Sequence, residues 1–192
     1  MKIEKVIKQV KSIGWSHVRK NCNLSIEVLI NNLGTLLNKS SIKVIKSSNQ
    51  FIHKSGYVEF HTDDPRAEYI IWLCTKKADS GGENILKNIS DAYFDINTEY
   101  QNILTKLNFK VNLPGAPTEI PFIYKLNEEL HFYYTPWKEK TVYSTDITEA
   151  LFYLTLSLNN QKTERILLSE GDLLVINNRF IVHGRDPYIG DS

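Results

Sequence analysis

One uninterrupted run of apolar, aromatic and β-branched side chains, Tyr69-Ile70-Ile71-Trp72-Leu73-Cys74-Thr75, constrains the fold more than any other feature of this chain. It is too short for an ordinary helix and has no polar face, so it reads as a strand buried on both sides. Such a strand needs other strands beside it and a covering layer on each face. The rest of the sequence supplies both. Asn84 to Leu86, Phe109 to Leu113, Phe122 to Leu126, His131 to Thr135, Leu173 to Ile176 and Phe180 to His183 read as further short strands between turn residues. Asn177-Asn178 reads as a hairpin turn joining the last two.

Helical spacing comes first in the chain. Ile3, Val6, Ile7 and Val10 lie on one side of residues 2–11, and Gly14 stops the pattern. After a short strand over Trp15 to Arg19, Ser25 caps a helix whose Ile26, Leu29, Ile30, Leu33 and Leu37 repeat at three and four residues, ending at Asn38. Ile42, Val44 and Ile45 suggest a strand on the way to GYVEFHTDD. Ser90 opens a helical stretch to Leu107 with a break near Asn97, and Thr145 or Asp146 caps a helix with Ile147, Leu151, Leu154 and Leu158 on one face. Two helices followed by many short strands with helical insertions predicts a β-sandwich or jelly roll with helices packed on it.

With 192 residues, 42% of them hydrophobic, the chain reads as one globular domain, and no repeat or linker divides it. The 23 basic and 22 acidic residues nearly cancel, so the electrostatic drive for nucleic-acid binding is missing and a small-molecule substrate is expected. Cys22 and Cys74 are far apart and lack metal-ligand spacing, which suggests reduced thiols and a cytoplasmic location. The charged, amphipathic N-terminus has neither the apolar core of a signal peptide nor a membrane span.

The candidate chemistry lies in two places. His61 and Asp63 are one residue apart, so on an extended segment both side chains project to the same side and can reach one metal ion. A hydrogen-bonded turn before a strand would give the same triplet. More than a hundred residues later, GDLLVINN followed by IVHGR delivers a second imidazole, His183. Two imidazoles and one carboxylate leave open positions on an octahedral ion, as non-haem iron(II) oxygenases require. His17, His53 and His131 read as surface or hydrogen-bonded histidines, and Phe132, Tyr133, Tyr134 and Trp137 as core aromatics or pocket walls. Arg179 reads as structural. Glu59 and Asp64 flank the triplet, either solvated or facing a cationic substrate group.

The series FHTDD, YIIWLC, SGGENIL and GDLLVINNRFIVHGRDPY, in that order, resembles the iron(II)- and 2-oxoglutarate-dependent oxygenases of the taurine dioxygenase and clavaminate synthase-like family. The resemblance covers nearly the whole chain. It implies a double-stranded β-helix, a cupin-like jelly roll, with His61, Asp63 and His183 as the catalytic iron ligands. It also implies 2-oxoglutarate and O2 as cosubstrates and hydroxylation of a small metabolite such as an amino acid or related acid. Halogenating relatives lack the carboxylate that Asp63 supplies. Asn84 stands where the family often has a Thr or Ser near the cosubstrate. The family's cosubstrate-binding arginine follows the distal histidine at a longer interval than the nine residues left before Ser192. Residues 1–192 are therefore expected to form one oxygenase domain stopping short of its last core strand, or one whose cosubstrate binding is altered or lost. Arg185, close to His183 along the strand, reads as structural and is the remaining candidate for the cosubstrate. A metal-binding jelly roll without catalysis is the rival reading, and a zinc hydrolase using the same ligands a further one.

Overall fold

Helix α1 (Ile3–Ile13) buries Val6 and Val10 and stops at Gly14, whose φ of 90° is left-handed. A side chain there would collide with Ile181 and Phe180, so only glycine lets the chain turn so tightly against the core. The computed structural model describes residues 2–42, 55–111, 115, 117–135 and 143–189. Strand β1 (Trp15–Val18) follows, then α2 (Ile26–Leu33), where Ser25 Oγ accepts the Val28 amide as predicted. The helix does not reach Leu37. It ends at Gly34, and Leu36 and Leu37 are exposed, because the apolar repeat continues past a residue that does not hold helical geometry. Ile42 lies in no strand; Val44 and Ile45 fall outside the described residues.

Next come β2 (Val58–His61), β3 (Tyr69–Leu73), β4 (Ser80–Gly81) and β5 (Asn84–Asn88). The long helical stretch is two helices, α3 (Ile89–Asp95) and α4 (Thr98–Leu104), with Asn97 capping the second through the Glu99 amide, so the expected break is real. Strands β6 (Asn108–Lys110), β7 (Glu119–Pro121), β8 (Ile123–Leu126) and β9 (Glu129–Phe132) form two small antiparallel ribbons. Helix α5 (Thr145–Asn160) starts after Ser144, one residue before the expected cap. Strands β10 (Glu164–Ile166), β11 (Leu173–Asn177), β12 (Ile181–Arg185) and β13 (Tyr188–Ile189) complete the order.

Two sheets face each other. One has the order β1-β11-β3 and the other β10-β5-β12-β2, all antiparallel. Trp15, Ile70, Trp72, Leu174 and Ile176 from the first sheet pack with Leu86, Ile166 and Ile181 from the second. The outer face of the first sheet, with Leu173, Val175, Tyr69 and Ile71, packs on α1 and α2. Val182 and Phe60, on the outer face of the second, join the core under α3, α4 and α5. There Lys87 Nζ donates to the Leu158 and Asn159 carbonyls in the last turn of α5, placing a buried cation at the negative end of the helix dipole. The double-stranded β-helix expected from the sequence is thus seen as two facing antiparallel sheets with flanking helices.

Two expectations change. The turn at 178–180 does not make a hairpin: β11 belongs to one sheet and β12 to the other, so this turn carries the chain across the interior. Periodicity locates a turn but not the partners of the strands it joins. Strand β3, read as doubly buried, is only half-buried, because it pairs with β11 alone among the described strands.

Candidate metal centre

Alternation along β2 and β12 decides where the two histidines point. Phe60 and Val182 face the helices, so His61 and His183 face the interior between the sheets. The two are direct partners across β2 and β12. The register then slips, pairing Arg185 with Val58, so β2 bulges opposite Gly184. A Cβ on residue 184 would run into the Val58 carbonyl, which explains a glycine beside the distal histidine.

Asp63 lies in the loop after β2, and this loop is held at both ends. The Thr62 amide donates to the Tyr134 carbonyl at 2.8 Å, and the Tyr134 amide donates back to Thr62 Oγ1 at 2.9 Å. Asn178, 3% exposed, does the rest: its Oδ1 accepts the Asp63 amide at 2.8 Å, and its Nδ2 donates to the Asp64 and Ala67 carbonyls at 3.1 Å each. The sequence marked Asn178 only as a turn residue. Its role as a clamp on the loop carrying Asp63 depends on a contact 115 residues away, for which no sequence signal exists.

His61, Asp63 and His183 each offer one ligand atom, and those atoms all lie within 4.8 Å of one another. Asp63 Oδ1 is 3.6 Å from His61 Nε2, and Oδ2 is 3.5 Å from His183 Nε2. Ligands bonded at about 2.0–2.2 Å to one octahedral ion stand roughly 3–4 Å apart, so the cluster matches such an ion. His61 Nδ1 lies 2.8 Å from the Glu59 carbonyl, which requires a proton on Nδ1 and turns Nε2 toward Asp63. Burial, reinforced by His61 and opposed by Asp63, pushes the His183 pKa down to about 3, so this imidazole is neutral at physiological pH. Both histidines are buried, while the Asp63 side chain is 37% exposed. The donor set thus fits a divalent first-row ion.

Asn84 and Arg185 pair across β5 and β12, one step from the Leu86 and His183 pair, and share their interior face. Asn84 Nδ2 donates to the Ile166 carbonyl at 3.4 Å, and the Arg185 guanidinium lies 5.3 Å from the Tyr188 ring. The other candidates have structural surroundings. Asp64 is paired with Arg66 through two contacts, 2.6 and 2.9 Å, so it is not open to a cationic substrate group. Arg179 contacts Glu68 at 3.4 Å and His131 at 3.2 Å, as a structural residue would. His17 bonds Asp172 at 2.9 Å. Phe132, Tyr133 and Tyr134 are core under the helices rather than pocket walls; His53 and Trp137 lie outside the described residues.

Solved structures share this architecture. An asparagine oxygenase in complex with Fe(II), 2S,3S-3-hydroxyasparagine and succinate superposes with a TM-score of 0.62 at 17% identity, over 76% of this chain and 50% of that one. The non-heme iron oxygenase OrfP in complex with Fe, succinate and (3S)-hydroxy-L-Arg gives 0.59 at 16% identity, over 77% of this chain and 54% of that one. OrfP in complex with Fe and alpha-ketoglutaric acid gives 0.58 at 18% identity, over 77% and 50%. The chain therefore spans about half the length of these structures. Among curated proteins, a 3-((Z)-2-isocyanoethenyl)-1H-indole synthase from Fischerella ambigua (strain UTEX 1903) is 28% identical, over 86% of this chain and 70% of the relative. No family model matches the chain. Among the described residues no helix is long and apolar enough to cross a membrane.

Proposed function

We propose that this chain holds iron(II) on His61, Asp63 and His183 and, with 2-oxoglutarate and O2, hydroxylates a small metabolite, an amino acid or a related acid. The observation that carries the proposal is the convergence of three ligand atoms, from residues far apart in sequence, within 4.8 Å at the interior face of a jelly-roll sheet. The solved structures of similar fold add support, since their complexes contain iron, succinate or alpha-ketoglutaric acid, and hydroxylated asparagine or arginine. Iron bound here would supply the oxidising chemistry together with O2 and the cosubstrate.

The chain's own residues have separable tasks. Asp63 would offset one of the two positive charges of a dication, and the imidazoles of His61 and His183 would supply the other two protein ligands. Glu59, through its carbonyl, holds the Nδ1 side of His61 and so turns Nε2 toward Asp63. Asn84 and Arg185, on the same face as His183, are assigned to the cosubstrate carboxylates, an amide donor and a guanidinium being suited to that charge. Trp15, Ile70, Trp72 and Ile176 form an apolar wall across the interior, which limits water near the site. The 192 residues are taken as one oxygenase domain.

The test is succinate formation by the purified chain with iron(II), 2-oxoglutarate and ascorbate, beside a metal titration. Asp63→Ala should abolish turnover and weaken metal binding at least about tenfold. Unchanged metal affinity in that variant, or metal uptake by the wild type with no 2-oxoglutarate turnover, would overturn the ligand assignment or the reaction class respectively.

A further inference from the structure

We infer that Trp72 orients His183 for metal binding, standing in for the hydrogen bond that a ligating imidazole ordinarily makes through its far nitrogen; the inference rests on the metal reading above. The two histidines are held unequally. His61 Nδ1 is bonded to the Glu59 carbonyl at 2.8 Å. His183 Nδ1 is buried and has no hydrogen-bond partner among the described residues. The χ2 torsion of histidine is broad and roughly two-fold, so a ring without such a bond can turn its Nε2 away from Asp63 or exchange one nitrogen for the other.

Packing has to set the ring instead. The ring contacts of His183 among the described residues are His61, with centroids 4.2 Å apart and planes at 51°, and Trp72, at 4.7 Å and 67°. His61 is tied to its own strand by its own carbonyl bond. Trp72 comes from the opposite sheet, where β3 pairs it with Leu174, a fully buried residue. Its indole therefore reaches across the interior and meets the imidazole edge to face, the arrangement that the ring quadrupoles favour. Within the sequence Trp72 is one member of an apolar run, and nothing there separates it from Ile70 or Ile71. Only the facing of the two sheets makes it a neighbour of the distal histidine. Trp72 is thus a positioning residue, acting through His183 rather than on substrate.

Cobalt(II) provides a probe that reports coordination directly through its d–d absorption and needs no turnover. Wild type, Trp72→Phe, Trp72→Met and His183→Ala are titrated with cobalt(II), and each metal-free protein is melted separately. Trp72→Met fills space without a ring and should bind cobalt(II) about tenfold more weakly, with an altered d–d spectrum. Trp72→Phe keeps an aromatic contact and should stay within about twofold of wild type with an unchanged spectrum. Wild-type affinity and spectrum in Trp72→Met would overturn the inference. So would equal losses in both Trp72 variants that simply follow a lowered melting midpoint, since that is general core damage. Failure of the wild type to take up cobalt(II), or equal uptake by His183→Ala, would instead overturn the metal reading, before the Trp72 variants are compared.

Discussion

Replacing Asn178 by alanine tests whether the loop carrying Asp63 is preorganised. The side chain is 3% exposed and satisfies three backbone groups at once: the Asp63 amide at 2.8 Å and the Asp64 and Ala67 carbonyls at 3.1 Å each. Each such bond contributes about 0.5–1.5 kcal/mol net, and a group left buried without a partner costs about 1–3 kcal/mol. The loop is partly open, as the half-exposed Asp63 side chain shows, so water can replace some of what is lost. The expected destabilisation is therefore about 2–3 kcal/mol. For a chain of this size that lowers the thermal midpoint by roughly 5–10 °C. Metal affinity should fall as well, by about tenfold or more, because the anionic ligand loses its backbone tether. Denaturant unfolding of the metal-free protein measures the first effect and a metal titration the second. A variant within about 0.5 kcal/mol of wild type and with unchanged affinity would refute the clamp, since that is the range of an ordinary surface substitution.

Gly184→Ala should destabilise the chain by about 1–3 kcal/mol and weaken metal binding, because a Cβ there meets the Val58 carbonyl beside His183; denaturant unfolding and a metal titration check both effects. Asp172→Asn should cost about 3 kcal/mol at neutral pH, since this nearly buried carboxylate accepts from the Lys20 and Ser169 amides and from His17. Burial opposes its charge, yet those donors outweigh burial and hold its pKa below the usual carboxylate value. A depressed folded-state value stabilises the fold above the unfolded value of about 3.9, and the benefit is lost as pH falls below it. The stability gap between wild type and Asp172→Asn should accordingly narrow on going from pH 6 to pH 3, and a gap that widens would contradict this account.

Local pattern was enough for much of this protein. Residue period and caps gave α1, the Ser25 start of α2, the break at Asn97, the helix over Thr145–Asn160 and most strands, because these depend on side chains a few residues apart. His61, Asp63 and His183 were legible as candidates because their types and order are uncommon together. The rest depended on long-range pairing. An apolar repeat that runs through Gly34 hides where α2 ends, and the turn at 178–180 looks like a hairpin because a turn does not record which sheet follows it. Tertiary structure alone brought His183 opposite His61, set Asn178 against the Asp63 loop and placed Trp72 over the distal imidazole. Those contacts join residues scores of positions apart in the chain, and their energies arise only when the two sheets close on each other, so no local stretch of sequence carries a trace of them.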